Sequence, residues 1–202
     1  VRTLSKASKA RTITIDGKFG DWTDVTPQYR DTIGDITHRN HPGWGSVGPY
    51  INTTGRNDFV TCKIARDDKN IYFYAKTDKP ISNCKDENWM LLFIDADADH
   101  STGWEGFDYL INHSVTDSKN AIVKKYNDAG KWTKEGSIQY QVNGNQLELA
   151  VPRGMVGITA KDFTLDFHWA DNIQKLNDIT EFAINGDSAP NRRFKYRYKT
   201  AK

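Results

Sequence analysis

Apolar residues in this chain recur at every second position. Residues 12–15, 59–65, 71–75, 138–142 and 147–151 all alternate in this way, and each run is followed by Asp, Asn, Gly or Pro. A period of two sends successive side chains to opposite faces of a strand, whereas a helix needs 3.6. Residues 163–169 and 194–198 complete the set of strands, and residues 66–70 read as the turn between the second and third. Val142-Asn143-Gly144-Asn145 is an Asn-Gly turn of the kind that tightly joined strands prefer. The one helical signal is a short turn over residues 153–156. A chain of 202 residues is long enough for one substantial core. The expectation is therefore an all-β fold: a single antiparallel β-sandwich, jelly-roll-like, of about nine or ten strands. It occupies residues 12–202 and follows a flexible N-terminal tail, residues 1–11. Residues 23–55, polar and rich in Gly and Pro, are too long for a plain connection and read as a functional surface loop.

Charge narrows the function classes. With 28 basic and 26 acidic residues the net charge is +2, which offers little general attraction to nucleic acid. Basic residues do gather at the two ends, Arg192, Arg193, Lys195, Arg197, Lys199 and Lys202 among them. No apolar stretch approaches the length of a membrane span, so no membrane insertion is expected. No secretory signal pattern opens the chain, and its start at Val1 is read as that of a mature or excised piece. Cys62 and Cys84 form one disulfide or remain buried thiols; both alternatives stay open.

The densest local signal is Asp95-Ala96-Asp97-Ala98-Asp99-His100-Ser101-Thr102-Gly103-Trp104-Glu105-Gly106-Phe107-Asp108-Tyr109. Carboxylates a few ångströms apart repel one another, and Ca2+ replaces that repulsion with favourable oxygen contacts. Asp95, Asp97 and Asp99 fall at alternate positions, as in an EF-hand loop. That loop requires Gly where His100 stands and Glu where Gly106 stands, so this is no EF-hand. The reading is instead a structural Ca2+ site on a β-hairpin, with Asp108 folding back toward the three aspartates. Asp31 and Asp35, with Asp67 and Asp68, form a second acidic group, read as surface solvation in preference to another cation site.

Three motifs carry a resemblance. Ile15-Asp16-Gly17-Lys18-Phe19-Gly20-Asp21-Trp22 resembles the opening motif of the family 9 carbohydrate-binding modules and their DOMON-like relatives. The run from Thr102 through Gly103-Trp104-Glu105-Gly106-Phe107-Asp108-Tyr109 to Asn112, and Asn185-Gly186-Asp187-Ser188-Ala189-Pro190-Asn191-Arg192-Arg193-Phe194, resemble a bacterial branch of those modules. The likeness spans residues 13–198. It implies a β-sandwich, a non-catalytic and calcium-stabilised sugar binder, and a secreted, periplasmic or cell-surface protein. It also implies an accessory role to a polysaccharide-processing enzyme, with an attached catalytic domain and a polysaccharide or oligosaccharide as partners.

The residues can be matched to that task separately. Sugar rings present apolar C–H faces, and Trp or Tyr rings stack on them while amides, carboxylates and Arg bond the hydroxyls. Trp44, between glycines in His41-Pro42-Gly43-Trp44-Gly45, is the leading stacking candidate because it lies on an irregular loop. Trp169 is the second, placed beside Asp171 and Asn172 at a strand end. Trp22 and Trp89 read as core, Trp104 as structural and Trp132 as a turn anchor. Two rival classes stay in view: a structural accessory domain without a sugar site, and a glycosidase using a pair from Glu148, Asp166 and Glu181. Met90 and Met155, which a haem site would need, sit in apolar settings that packing explains. The five histidines show no zinc-type pairing.

Overall fold

In the computed structural model, which describes residues 6–36, 39–43, 45, 46 and 48–200, the alternating segments become strands with one exception. The strands found among the described residues are β1 (Gln28–Arg30), β2 (Arg39–His41), β3 (Tyr50–Asn52), β4 (Phe59–Arg66), β5 (Asn70–Thr77), β6 (Leu91–Asp95), β7 (Tyr109–Val115), β8 (Asn120–Tyr126), β9 (Trp132–Asn143), β10 (Gln146–Pro152), β11 (Thr164–Asp171), β12 (Asp187–Ala189) and β13 (Tyr196–Lys199). Among the described residues helix is confined to α1 (Glu181–Ile184) and two 3-10 turns, Phe19–Trp22 and Arg153–Val156. No helix among the described residues is long and apolar enough to cross a membrane. The count exceeds the expected nine or ten because strands of three residues, such as β1, β2, β3 and β12, are too short to display a period.

Eleven strands form one sheet in the order β1-β4-β5-β10-β9-β8-β7-β6-β11-β12, with β13 also on β11, while β2 and β3 pair apart as a hairpin. The sheet folds over on itself. Phe73 of β5 and Phe167 of β11 are far apart in strand order, yet their ring centroids lie 5.6 Å apart. Tyr29 of β1 meets Phe167 at 5.1 Å, and its hydroxyl donates to the Arg197 carbonyl of β13 at 2.8 Å. The result is an all-β sandwich with one continuous inner core, which includes Ile64, Phe73, Ile94, Tyr140, Leu149, Phe167 and Trp169.

Two smaller cores cover parts of the outer faces. One, over β4 and β5, buries Ile13, Trp22, Val25, Tyr72 and Tyr74. The other, over β6, β7 and β11, buries Phe93, Trp104, Phe107, Leu110, Ala170 and Phe182. With both faces covered, β6 is buried along its whole length, and β11 is buried at all but its first residue.

The exception is the first alternating run. Residues 12–15 form no strand with the described residues; Ile13 is buried in the outer core, and Thr14 N–H is taken by Asp21 Oδ2 at 3.1 Å. The preceding residues are tied to the fold, since Arg11 N–H donates to the Arg66 carbonyl at 2.8 Å and Ser8 Oγ contacts Thr26 Oγ1 at 3.2 Å. A flexible tail over residues 1–11 therefore does not describe residues 8–11, while residues 1–5 lie outside the described residues. Cys62 is buried and Cys84 half-buried, and both are free thiols.

The opening motif is clamped by a carboxylate. Glu148 Oε1 accepts N–H from Asp16 at 3.0 Å and Gly17 at 2.8 Å, and Oε2 accepts Trp22 Nε1–H at 2.8 Å. Glu148 is fully buried, so replacing it with an amide leaves buried donors facing an N–H2 group. Glu148→Gln should lower stability by about 1–3 kcal/mol, seen as an earlier urea midpoint with an unchanged slope. A midpoint equal to wild type would show that the clamp contributes nothing.

Candidate functional site

The β2–β3 hairpin, outside the main sheet, forms one bank of a surface cleft. It is docked by Asn52, whose Nδ2 donates to the Gly186 carbonyl at 2.7 Å, and by Thr54, whose Oγ1 accepts Gly186 N–H at 2.8 Å. Gly186 has φ +59, and a Cβ there would collide with the Asp171 carbonyl, so this close approach requires glycine. His41 and Tyr50 close the hairpin with an edge-on ring contact at 5.3 Å. The opposite bank is the β12–β13 loop. Between them lie two adjoining hollows, of about 270 Å³ lined by Asp35, His41, Tyr50, Ala183, Asn191 and Arg192, and of about 410 Å³ lined by Tyr50, Ile179, Thr180, Ala183, Arg192, Arg193 and Phe194.

The β12–β13 loop is held from beneath. Asn191 Nδ2 donates to Asp31 Oδ1 at 3.2 Å, Arg192 N–H to Ser188 Oγ at 3.2 Å, and Lys195 Nζ to Asp95 Oδ2 at 2.8 Å. His168 Nδ1 lies 2.9 Å from the Phe194 carbonyl, a geometry that assigns the proton to Nδ1. His168 is fully buried and stacks on Phe182 at 4.1 Å. Burial pushes its pKa down to about 3, aided by the Lys195 charge and opposed by the Phe194 carbonyl. The imidazole is thus a neutral strut under the loop. Above it Phe194 is 67% exposed, a large ring left open to solvent while its backbone is fixed.

The acidic run also takes shape. Glu105 (φ +52) and Gly106 (φ +80) make the tight turn across which Trp104 and Phe107 exchange backbone bonds at 2.8 Å, and Asp108 then folds back so that its Oδ2 accepts Ala96 N–H at 2.8 Å. Asp95, Asp97 and Asp108 each offer an oxygen, all within 4.8 Å of one another. Asp95 is buried, and its Oδ1 has no hydrogen-bond partner among the described residues. Burial raises the pKa of Asp95 against the pull of Lys195, and burial likewise raises that of Asp108. Asp99 is not in the group. Its Oδ1 accepts Ser101 N–H at 2.9 Å and Ser101 Oγ–H at 2.7 Å, which lower its pKa and commit it to the turn.

Asp31 and Asp35 gather with Asp187 and not with Asp67, whose oxygens serve Lys69 N–H at 2.8 Å and the Tyr72 hydroxyl at 2.6 Å. Asp187 was visible within the Asn185-Gly186-Asp187 motif but carried no sign of its partners, which come from residues more than 150 positions earlier.

The residues expected at a sugar site fare differently. Trp44 lies outside the described residues, in the connection between β2 and β3. Trp169 is 0% exposed in the inner core, 6.1 Å from the ring of Phe59, and offers no stacking surface. Asp171 is equally buried and filled by donors: Arg56 Nε at 2.8 Å, Asn57 Nδ2 at 2.9 Å and Met90 N–H at 2.8 Å. Asn172 donates to the Thr54 carbonyl at 2.7 Å. The strand end is therefore closed to a sugar: Trp169 faces the inner core, and Asp171 and Asn172 are engaged by residues 54–57 and 90. Trp104 is 7% exposed in that core, and Trp132 Nε1 donates to Asn177 at 3.0 Å. Tyr50 and Phe194, which line the cleft, were missed because neither stands in a motif that marks exposure.

No family model matches the chain, and no curated protein matches it. Among solved structures it is similar to a carbohydrate-binding module of family 9 from Caldicellulosiruptor kristjanssonii in complex with glucose, at 11% identity over 98% of this chain and 95% of that one, with a TM-score of 0.48.

His168 predicts a pH dependence. Its folded pKa of about 3 lies below the ordinary 6.5, so the unfolded chain binds a proton that the folded chain refuses. Its stabilising contribution is complete above pH 6.5 and is lost as pH falls toward 3, with a slope of up to about 1.4 kcal/mol per pH unit. His168→Phe should flatten the decline measured by urea titration across this window. Parallel profiles for variant and wild type would show that His168 does not titrate on unfolding.

Proposed function

We propose that this domain is a non-catalytic, calcium-stabilised carbohydrate-binding module, accessory to a larger exported polysaccharide-processing protein, and that its sugar site is the cleft between the β2–β3 hairpin and the β12–β13 loop. The observation that carries this reading is the exposed Phe194 ring on an anchored loop, sharing a hollow with Tyr50. An apolar ring beside polar groups suits a ligand with C–H faces and hydroxyls. Asp35, His41, Asn191 and Arg192 line the adjoining hollow and supply hydroxyl partners. A loop ordered before the ligand arrives loses little entropy on binding. The three motifs that resemble family 9 modules support the accessory and exported role.

The carboxylates nominated for a glycosidase have other duties, which supports a non-catalytic reading. Glu148 clamps the opening motif. Asp166 is held by Arg197 through two bonds of 2.8 Å, and Glu181 Oε2 accepts Gln174 N–H at 2.5 Å.

Asp95, Asp97 and Asp108 fit a hard cation: all donors are oxygen, and one buried carboxylate oxygen lacks a partner among the described residues. Asp99, part of the expected ligand set, is proposed only as a turn residue. When bound, Ca2+ supplies countercharge that Lys195 alone does not.

For the sugar site, Phe194→Ala and Tyr50→Ala should each weaken binding of an oligosaccharide found by glycan screening roughly tenfold or more, measured by titration calorimetry, with Trp44→Ala alongside. Retained affinity in all three folded variants would move the site elsewhere. Failure of the folded wild type to bind any glycan would favour a structural accessory domain.

For the cation, Ca2+ should raise the melting temperature and EDTA lower it, by about 2.7 kcal/mol of stabilisation at a hundredfold excess over Kd. The gain should shrink in Asp97→Asn. It should also shrink as pH falls through the raised pKa values of Asp95 and Asp108, because protons then compete for the same oxygens. A melting temperature indifferent to both reagents would exclude the cation.

A further inference from the structure

We propose that the saccharide taken by this cleft is anionic, bearing a uronate carboxylate or a sulfate ester. This deepens the sugar-binding reading and rests on it. Of the basic residues that crowd the end of the chain, Lys195 and Arg197 are already committed to Asp95 at 2.8 Å and Asp166 at 2.8 Å. Arg192 and Arg193 are not. Both are exposed, both line the larger hollow, and neither side chain has a hydrogen bond or ion pair with the described residues.

The larger hollow has no acidic residue among its described lining. Asp35 lines only the smaller one, and Asp31 and Asp187 face inward, toward Asn191 at 3.2 Å and Phe59 N–H at 2.6 Å. Two free guanidiniums thus stand beside an exposed ring in a space of about 410 Å³, within the range of small-ligand sites. A guanidinium presents a planar fork of donors that matches a carboxylate or sulfate group through paired bonds, an advantage that a neutral hydroxyl does not use. Arg192 also holds φ +63, a conformation uncommon for its residue type, within the loop that Ser188 and His168 anchor. The ring of Phe194 then takes the apolar face of the sugar and the guanidiniums take its charge.

The test is titration calorimetry of the whole domain with three oligosaccharides of equal length: a galacturonate oligomer, a sulfated galactan oligomer and a neutral galactan oligomer, each at low and physiological salt. One charged ligand or both should bind at least about tenfold tighter than the neutral one, with affinity falling as salt rises. The stronger charged arm identifies carboxylate or sulfate. An Arg192→Ala/Arg193→Ala double variant, shown to be folded by its melting curve, should lose that tenfold preference, its affinity for the charged oligomer falling much further than its affinity for the neutral one.

Equal binding of charged and neutral oligomers, unchanged in the double variant but lost in Phe194→Ala, would overturn the anionic preference and leave the sugar site standing. Charged binding that survives Phe194→Ala and is matched by polyglutamate would also overturn it, as mere charge attraction. No binding of any oligomer to the folded protein would overturn both.

Discussion

The closure of one antiparallel sheet over its own aromatic inner face governs this molecule. Phe73 and Phe167 meet across the sandwich, and Tyr29 on the edge strand is bonded to the far edge through Arg197. Once the inner face is filled, further apolar residues can be buried only on the outside of the sheet, beneath loops. That is where the two outer cores form. The first is the Ile13 and Trp22 cover over β4 and β5, seated by Glu148; the second is the Trp104, Phe107 and Phe182 cover over β6 and β11. A buried ring excludes water over a large area, so these covers are structural parts of the fold.

The second cover positions the proposed chemistry. Its turn ends in the acidic group of Asp95, Asp97 and Asp108, and the β12–β13 loop runs along it to the cleft. Lys195 joins the two regions: its ammonium bonds Asp95, lies 4.1 Å from the centre of the Phe107 ring, and follows Phe194 directly in sequence. His168 supports the same loop from within. Because it is buried among rings, the imidazole stays neutral and donates its one proton to the Phe194 carbonyl, which fixes backbone while leaving the Phe194 side chain free.

Much of the fold was legible because strand periodicity is a local property. Residues 59–65, 71–75 and 147–151 each show it, and each lies in a long strand. Residues 12–15 show it too, yet they form a cover strip outside the sheet, since a strip with one buried face alternates just as a strand does. The acidic group was legible for a related reason, three of the four aspartates expected in it gathering in the fold: carboxylates crowded within fourteen residues must be dealt with locally. Asp99 differed because Ser101, two residues on, bonds it first. The sugar site was far less legible. Trp169, Asp171 and Asn172 looked well placed at a strand end, but whether that end meets water depends on β12 and on Arg56, more than a hundred residues earlier.

The sequence by itself determined that the chain is all-β, where its long strands and tight turns fall, and that Asp95 to Asp108 concentrate negative charge. These follow from interactions between residues a few positions apart. Only the tertiary structure decided which aromatic rings are exposed, which carboxylates are already bonded, and which arginines remain free. Those properties depend on what packs against each face, and the partners come from distant segments: Glu148 for the opening motif, Asp166 for Arg197, Asp95 for Lys195. Trp169 is enclosed because it faces the inside of the closed sheet, and Phe194 is open to solvent because it lies on a loop outside the sheet.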